Sequence, residues 1–499
     1  MLLFIVLAPL LAALLILLGA PARRTALVGA AATALVSLAS LFLYDPVRGG
    51  FQFVSSFPIS QSWRLQFLLG ADGLSLIMLF LAGLVLLCAV WFTPPIEKSE
   101  GLFYACLLFV ASGAIGAFAS LDLFFFYAFH ELALIPTFLL IGIWGSGNRF
   151  AAAWKVTIYL GVGSFILLLG LILLYRSVPP ALRSFDLRAL QAIAATGGIA
   201  PAAQNQIFFL LLIGFGVLIS LFPFHTWAPE AYASAPASAA MLHAGVLKKF
   251  GLYGLLRLAM PLLPQGAQHW STLLIVLLSG NIIYVGLVTI AQKRLDWMLG
   301  YSSVMHMGYI FLGIASANVI GLNGAAVLMF AHGISIALLF ALAGEIRRRT
   351  GSLVFSDLGG LGKVMPFAGF AFGIATFAAI GLPGFANFAA EVMVFFGAFR
   401  VSADWQGFHR FQIATVLALW GVVISAVYML RAYRSIFMGP PNPESFRGDW
   451  SAAPDLAQAL RLPVTLLIAA TLIVGFFPNS LLQLLRPTFS PQITATTKR

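Results

Sequence analysis

Residues 215–257 read FGVLISLFPFHTWAPEAYASAPASAAMLHAGVLKKFGLYGLLR. An apolar helix is expected to run to Phe222, where Pro223 and then Pro229 interrupt it. Proline has no amide N–H and pushes the residue before it out of the helical region. A second apolar helix, expected over 237–260, carries His243, Lys248 and Lys249 in its middle. Neither feature is cheap in hydrocarbon. Backbone groups freed by a break need partners, and a charge at the centre of a span costs roughly 2.5–3.5 kcal/mol on insertion scales. Together they point to a path for an ion or a proton.

The rest of the chain supplies the hydrocarbon context. Of its 499 residues 61% are hydrophobic and 9% charged, with mean hydropathy +0.99. Continuous apolar runs of roughly 18–22 residues recur from end to end, each able to cross a layer about 30 Å thick. They do not alternate, which excludes a β-barrel. The fold class is therefore an all-α polytopic membrane protein, a single membrane domain over 1–499 with no soluble domain. About fourteen spans are expected, near 2–20, 26–44, 72–92, 102–120, 122–143, 154–176, 207–223, 237–260, 271–291, 297–316, 321–344, 366–400 (broken), 411–433 and 463–486. The connections 45–70, 177–206 and 434–462 are longer, and the last two read as surface loops with room for short interfacial helices. The break at 222–230 has a counterpart at 381–388 (GLPGFANF). Paired broken helices in two halves are a signature of transporters built from inverted repeats.

The net charge of +12 does not indicate nucleic acid in such a chain. The basic residues sit mostly in loops, where they set orientation and meet anionic lipid. Arg23, Arg24, Lys98, Arg149, the Arg347–Arg349 run and Arg447 fall on one side, and a smaller set including Arg64, Arg183, Lys498 and Arg499 on the other. Both termini are thus expected on the non-cytoplasmic side. Cys88 and Cys106 lie inside apolar runs and read as packing residues, and the spacing of His, Cys, Asp and Glu suggests no metal site.

Several ionisable residues fall within spans. Glu131 lies mid-span with Tyr127 one turn earlier, and reads as a proton-carrying carboxyl tuned by burial and a nearby cation; the alternative is a structural ion pair. Gly245, Lys249, Tyr253 and Arg257 share one helix face, and Gly245 allows a neighbouring helix to approach. Lys248 points about 100° away, toward a second path or a packing role. His306 and His332 are mid-span histidines near Ser302, Ser303 and Ser335, suited to a relay. Glu391 follows the second break, at the mouth of a path. His225 and Glu230 lie in the first break, where His225 can hydrate it and Glu230 can cap a helix.

At full length the sequence resembles the M-type antiporter-like membrane subunits of respiratory complex I, which are related to subunits of Mrp-type cation/proton antiporters. The matching stretches are LGADGLSLIM (69–78), FHELALIP (129–136), PFHTWAPEAYASAP (223–236), AGVLKKFGLYGLLR (244–257), GYSSVMHMG (300–308), AHGISIALLF (331–340) and LPGFANFAAEVMVFFGAF (382–399). The resemblance implies fourteen spans, with inverted five-helix repeats at 102–260 and 271–433, a final span at 463–486 and two broken helices. It implies a proton path in which Glu131, Lys249 and Glu391 translocate protons and His306 and His332 relay them; the residues themselves add His225 and Lys248 as further relay candidates. It also implies a subunit of an NADH:quinone oxidoreductase in a bacterial-type inner membrane. Such a chain carries no cofactor; NADH, flavin, iron–sulfur clusters and quinone belong to other subunits. Its partners would be other membrane subunits, neighbouring antiporter-like ones included, and the lipid bilayer. Two departures stand out. Leu218 and Ser220 occupy the positions of a Lys-x-Pro pattern whose lysine partners the span-five glutamate, and Arg294-Leu295-Asp296 reverses an acid–apolar–base order. Alternative readings are a subunit of an Mrp-type antiporter or membrane-bound hydrogenase, and a largely structural spacer whose proton path is impaired by Leu218.

Overall fold

The structure is a computed structural model and describes residues 1–60, 62–401, 409–440 and 455–494. Helices follow one another almost without pause. They are α1 (Leu2–Leu17), α2 (Ala22–Leu43), α3 (Gly73–Phe92), α4 (Glu100–Ala119), α5 (Leu123–Trp144), α6 (Arg149–Ser177), α7 (Leu187–Ala195), α8 (Pro201–Ile219), α9 (Trp227–Ser234), α10 (237–262), α11 (Pro264–Ala291), α12 (Leu295–Ala315), α13 (Val319–Thr350), α14 (Pro366–Ile380), α15 (Ala386–Phe399), α16 (Arg410–Phe437), α17 (Gln458–Phe476) and α18 (Asn479–Thr494). Among the described residues, 11 helices are long and apolar enough to cross a membrane. The other expected spans are shorter or interrupted. α1 has 16 residues, α10 is divided by π-helical turns, and α14 and α15 are two halves around a break.

Burial sorts the helices into an inner and an outer set. The apolar window of α13 is 100% buried and that of α12 94%, whereas α17 is 33% buried and α2, α5, α6 and α16 are each 39% buried. The outer helices turn apolar faces outward, as lipid requires. The inner ones carry His243, Lys248, Lys249, His306 and His332, since a polar group at membrane depth needs protein or water around it.

The structure moves several expected boundaries. α8 ends at Ile219, not at Phe222; Ser220 takes a left-handed conformation (φ 69°), and α9 resumes at Trp227. The backbone groups freed here are taken up by Asn281, which sits in a π turn of α11 (Gly280–Val285). Its Oδ1 accepts the Phe222 N–H at 2.7 Å, and its Nδ2 donates to the carbonyls of Ser220 (3.1 Å) and Val304 (2.9 Å). The Trp227 indole N–H donates to Val217 O at 3.0 Å. The second break is Gly381–Phe385, between α14 and α15. The expected last span, 463–486, is instead two helices parted at Phe477–Pro478. The second, α18, folds back against the start of α3, where the Leu484 carbonyl lies so close to Gly73 that no Cβ would fit.

The 45–70 connection holds an antiparallel hairpin, β1 (Gln52–Ser60) and β2 (Leu65–Ala71), with Phe57 opposite Phe67 and Gln52 opposite Ala71. Its connecting residues carry no Asn-Gly or Asp-Gly pair to announce it. The 177–206 connection contains α7, capped by Asp186, which accepts from Arg188 N at 2.8 Å. The reversed Arg294–Asp296 pair still forms, and Asp296 also holds Arg347 at 2.9 Å, joining the start of α12 to the end of α13. Arg447 with the rest of 441–454, Lys498 and Arg499 lie outside the described residues.

Replacing Asn281 with leucine keeps its size and removes three hydrogen bonds to buried backbone. A loss of at least about 1–3 kcal/mol is expected, the cost of stranding buried polar groups. It should appear as a lowered thermal-unfolding midpoint of the purified protein.

Candidate functional site

The site begins where α10 crosses α13. Gly245 and Gly333 face each other across the crossing; a Cβ on Gly245 would lie 3.0 Å from Gly333 O, and one on Gly333 2.7 Å from Gly245 O. This close approach brings the ammonium of Lys249 within 3.0 Å of His332 Nδ1. In α10 the π turn His243–Leu247 routes the Lys248 N–H to His243 O at 3.0 Å. The Lys249 ammonium donates to the Ala244 carbonyl at 2.6 Å. π turns of this kind cluster at functional sites, since the extra residue re-aims side chains and carbonyls. Lys249 is fully buried. A donor and an acceptor at 3.0 Å are within reach of direct proton transfer. When Lys249 donates to Nδ1, the His332 ring carries its own proton on Nε2, which has no protein partner.

His332 lines a small cavity with Ser302, His306, Ser335, Ile336, Leu339, Ala379 and Asn387. The His306 and His332 rings are 5.5 Å apart. Both nitrogens of His306 face carbonyls, Nδ1 that of Ser302 (2.8 Å) and Nε2 that of Ala379 (2.9 Å) near the end of α14. Asn387, on the first turn of α15, is fully buried, and neither its amide nitrogen nor its oxygen has a protein partner. Glu391 follows one turn later and is 3% exposed, and its Oε1 is likewise unpartnered. Gly381 makes room for this carboxylate. Its φ is +80°, and a Cβ there would be 2.3 Å from Glu391 Oε2. The structure therefore brings Lys249, His332, His306, Asn387 and Glu391 into one buried sequence that ends at the second break.

The remaining predicted residues lie apart from this line. Glu131 on α5 is only half-buried and has a hydroxyl, not the expected cation, as its neighbour. Ser164 on α6 donates to Glu131 Oε1, and Ser164 Oγ is 3.2 Å from the Tyr127 hydroxyl. Leu218 packs beside Gly163, where no charge can arise. The α6 lysine, Lys155, is committed to Glu230 at 2.7 Å, so Glu230 is an ion-pair partner as well as a first-turn acid of α9. Among the described residues Glu131 forms no ion pair. His225 stacks on Phe222 in the first break, with Nδ1 unpartnered. His130 stacks on Phe250 at 4.2 Å, a packing arrangement. Lys248 is buried on the other side of α10.

Sequence reasoning passed over Asn387, Asn281, Ser164 and Asp72. Asn387 had a signal, standing four residues before Glu391 on one helix face. Asp72 caps α3 and pairs with Arg257 at 2.5 Å, both 4% exposed. Tyr253 shares that cluster through Ser75 Oγ at 2.8 Å. These contacts join residues 185 and 178 positions apart, which helical spacing cannot reveal.

Known proteins resemble this chain over most of its length. Residues 120–418 match the family described as NADH:quinone oxidoreductase/Mrp antiporter, TM. The chain is 34% identical to NADH-quinone oxidoreductase subunit M of Rickettsia felis, over 89% of this chain and 87% of that one. It is similar to a chain of respiratory complex I from Thermus thermophilus, with TM-score 0.87, 29% identity and 99% of both chains covered. It shares its fold with a chain of the Mrp complex from a Dietzia species, with TM-score 0.81, 22% identity, and 98% of this chain and 96% of that one covered. The chain belongs to the NADH:quinone oxidoreductase/Mrp antiporter membrane-subunit family, and it is a multi-pass membrane protein.

Gly333→Ala tests the crossing. The new methyl would meet a backbone carbonyl at 2.7 Å, so the helices must separate and the Lys249–His332 contact must lengthen. Overpacking of this kind costs about 1–3 kcal/mol. The expected result is a complex that still assembles but pumps fewer protons per electron, measured in sealed vesicles.

Proposed function

We propose that the chain is a proton-translocating membrane subunit of an NADH:quinone oxidoreductase, in which quinone reduction elsewhere in the complex drives protons through its interior. The observation that carries this reading is the buried sequence Lys249–His332–His306–Asn387–Glu391. Its members are titratable or hydrogen-bonding; Lys249 touches His332, His332, His306 and Asn387 line one cavity, Glu391 follows Asn387 by one helical turn, and several of their polar atoms have no partner among the described residues. Buried polar atoms of this kind are what ordered water serves. A proton leaving the Lys249 ammonium for His332 Nδ1 displaces the one on Nε2 into the cavity. Water there carries it past Asn387 to the Glu391 carboxylate at the break. The relatives support the setting, since they are named as NADH-quinone oxidoreductase subunits.

The proposal includes the finer assignments. The first repeat covers 102–260 and the second 271–433, each with one broken helix, and 463–486 completes the bundle. NADH, flavin, iron–sulfur clusters and quinone are held by other subunits, and the neighbours in the membrane include further antiporter-like subunits. The chain resides in a bacterial-type inner membrane with both termini on the non-cytoplasmic side.

Glu391→Gln in the assembled complex should lower the ratio of protons pumped to electrons transferred while NADH oxidation continues. An unchanged ratio would remove Glu391 from the path.

Leu218 favours a second reading, a spacer with an impaired first half, because Glu131 has hydroxyl neighbours and no cation. Glu131→Gln decides between them. A lowered pumping ratio supports an active first half, and an unchanged ratio beside a damaging Glu391→Gln supports the spacer. An Mrp-type antiporter or a membrane-bound hydrogenase would use the same fold; co-purifying flavin and iron–sulfur proteins with NADH oxidation speak for the oxidoreductase.

A further inference from the structure

Lys248 is one residue from Lys249, yet it serves none of the contacts described above. It is 2% exposed, and its ammonium nitrogen has no hydrogen-bond partner among the described residues. A lysine so placed is costly, because an ammonium out of water needs acceptors or an opposite charge. Its one oriented neighbour is the ring of Tyr232 on α9, 5.6 Å away. Such a contact is worth about 2 kcal/mol when desolvated, less than the cost of burying the charge.

Tyr232 and His243 also line a second cavity, separate from the one at His332, between α4, α5, α9 and α10. The rest of its wall is mostly apolar and includes Val110, Thr137, Leu140, Ile141, Ala239 and Leu242. The Tyr232 hydroxyl is 3.4 Å from His243 Nδ1, and His243 Nε2 is unpartnered. The cavity lies toward the end of α5 that finishes at Trp144, beside the short connection to α6. The two adjacent lysines thus approach two different cavities, Lys248 through the Tyr232 ring and Lys249 through His332.

We propose that Lys248 is a second proton-carrying lysine, loaded through the Tyr232–His243 cavity, whose charge expels the proton from Lys249 toward His332. The proposal rests on the function argued above and extends it. The neutral amine of Lys248 takes a proton from water in the cavity and becomes an ammonium. Two ammonium groups on successive residues of a buried helix repel strongly, because the surrounding dielectric is low. Lys249 therefore gives its proton to His332 Nδ1 and becomes a neutral amine, while the proton on His332 Nε2 passes to the other cavity. One proton enters and one leaves, and no other bond changes.

The test uses the assembled complex in sealed vesicles, reading protons pumped per electron for each variant. Lys248→Met removes the carrier, Lys248→Arg keeps a cation that does not deprotonate, and Ala239→Leu fills the cavity without touching either lysine. All three should lose the share of pumping that Glu391→Gln loses. A packing role would tolerate methionine, and a fixed-charge role would tolerate arginine, so an unchanged ratio in either overturns the proposal. An unchanged ratio in Ala239→Leu overturns the loading route. Should methionine prevent assembly, Lys248→Gln is read in the same way. If Glu391→Gln leaves the ratio unchanged while the Lys248 variants lower it, the path beyond His332 is wrong and the loading step stands. If no variant lowers it, both readings fall.

Discussion

An ammonium group in the middle of an apolar bundle is the constraint around which the rest is arranged. Lys249 reaches His332 because two glycines let their helices touch, and reaches the Ala244 carbonyl beside a π turn. Remove either feature and the charge is left facing hydrocarbon, at a cost of several kcal/mol. The inner helices are buried almost over their full length for the same reason. A ring of apolar helices must stand between these groups and lipid.

The two breaks solve one problem in opposite ways. At the first, Asn281 fills the gap and satisfies the freed backbone, leaving a rigid plug. At the second, His306 meets only the Ala379 carbonyl, through Nε2 at 2.9 Å. Gly381 yields its space to the Glu391 carboxylate, and Asn387 and Glu391 keep unpaired atoms. Asn281 closes the first gap, whereas beside the second Asn387 and Glu391 keep polar atoms without a partner among the described residues. Proton traffic suits the second kind, because a hydrogen-bond chain must reorganise after each transfer.

Much of this was legible in the residues. The helical bundle follows from the length and continuity of the apolar runs, and the breaks from proline and glycine within them. Lys249, His332, His306 and Glu391 stood out because an ionisable group at span depth is rare and expensive. The rest depended on contacts between residues far apart in the chain. Asn281 looked like an ordinary mid-span amide until its partners 59 and 61 residues earlier came beside it. The hairpin lacked a turn signal, and α8 ends earlier than Pro223 alone suggests because Ser220 turns left-handed beneath Asn281. The expected cation beside Glu131 failed on a local substitution, Leu218, and Lys155 could not replace it while bound to Glu230.

The chain also sorts its charges by depth. Asp72 with Arg257, Asp296 with Arg294 and Arg347, and Glu345 with Arg348 and Arg349 are closed pairs or clusters. Such groups are electrically quiet, because their fields cancel within a few ångströms. Among the described residues Lys248, Lys249 and Glu391 form no ion pair. In the proposed path a change of protonation at one would be little screened on its way to the others. In this respect the interior resembles a line of coupled capacitors whose plates are insulated by the closed pairs at the ends.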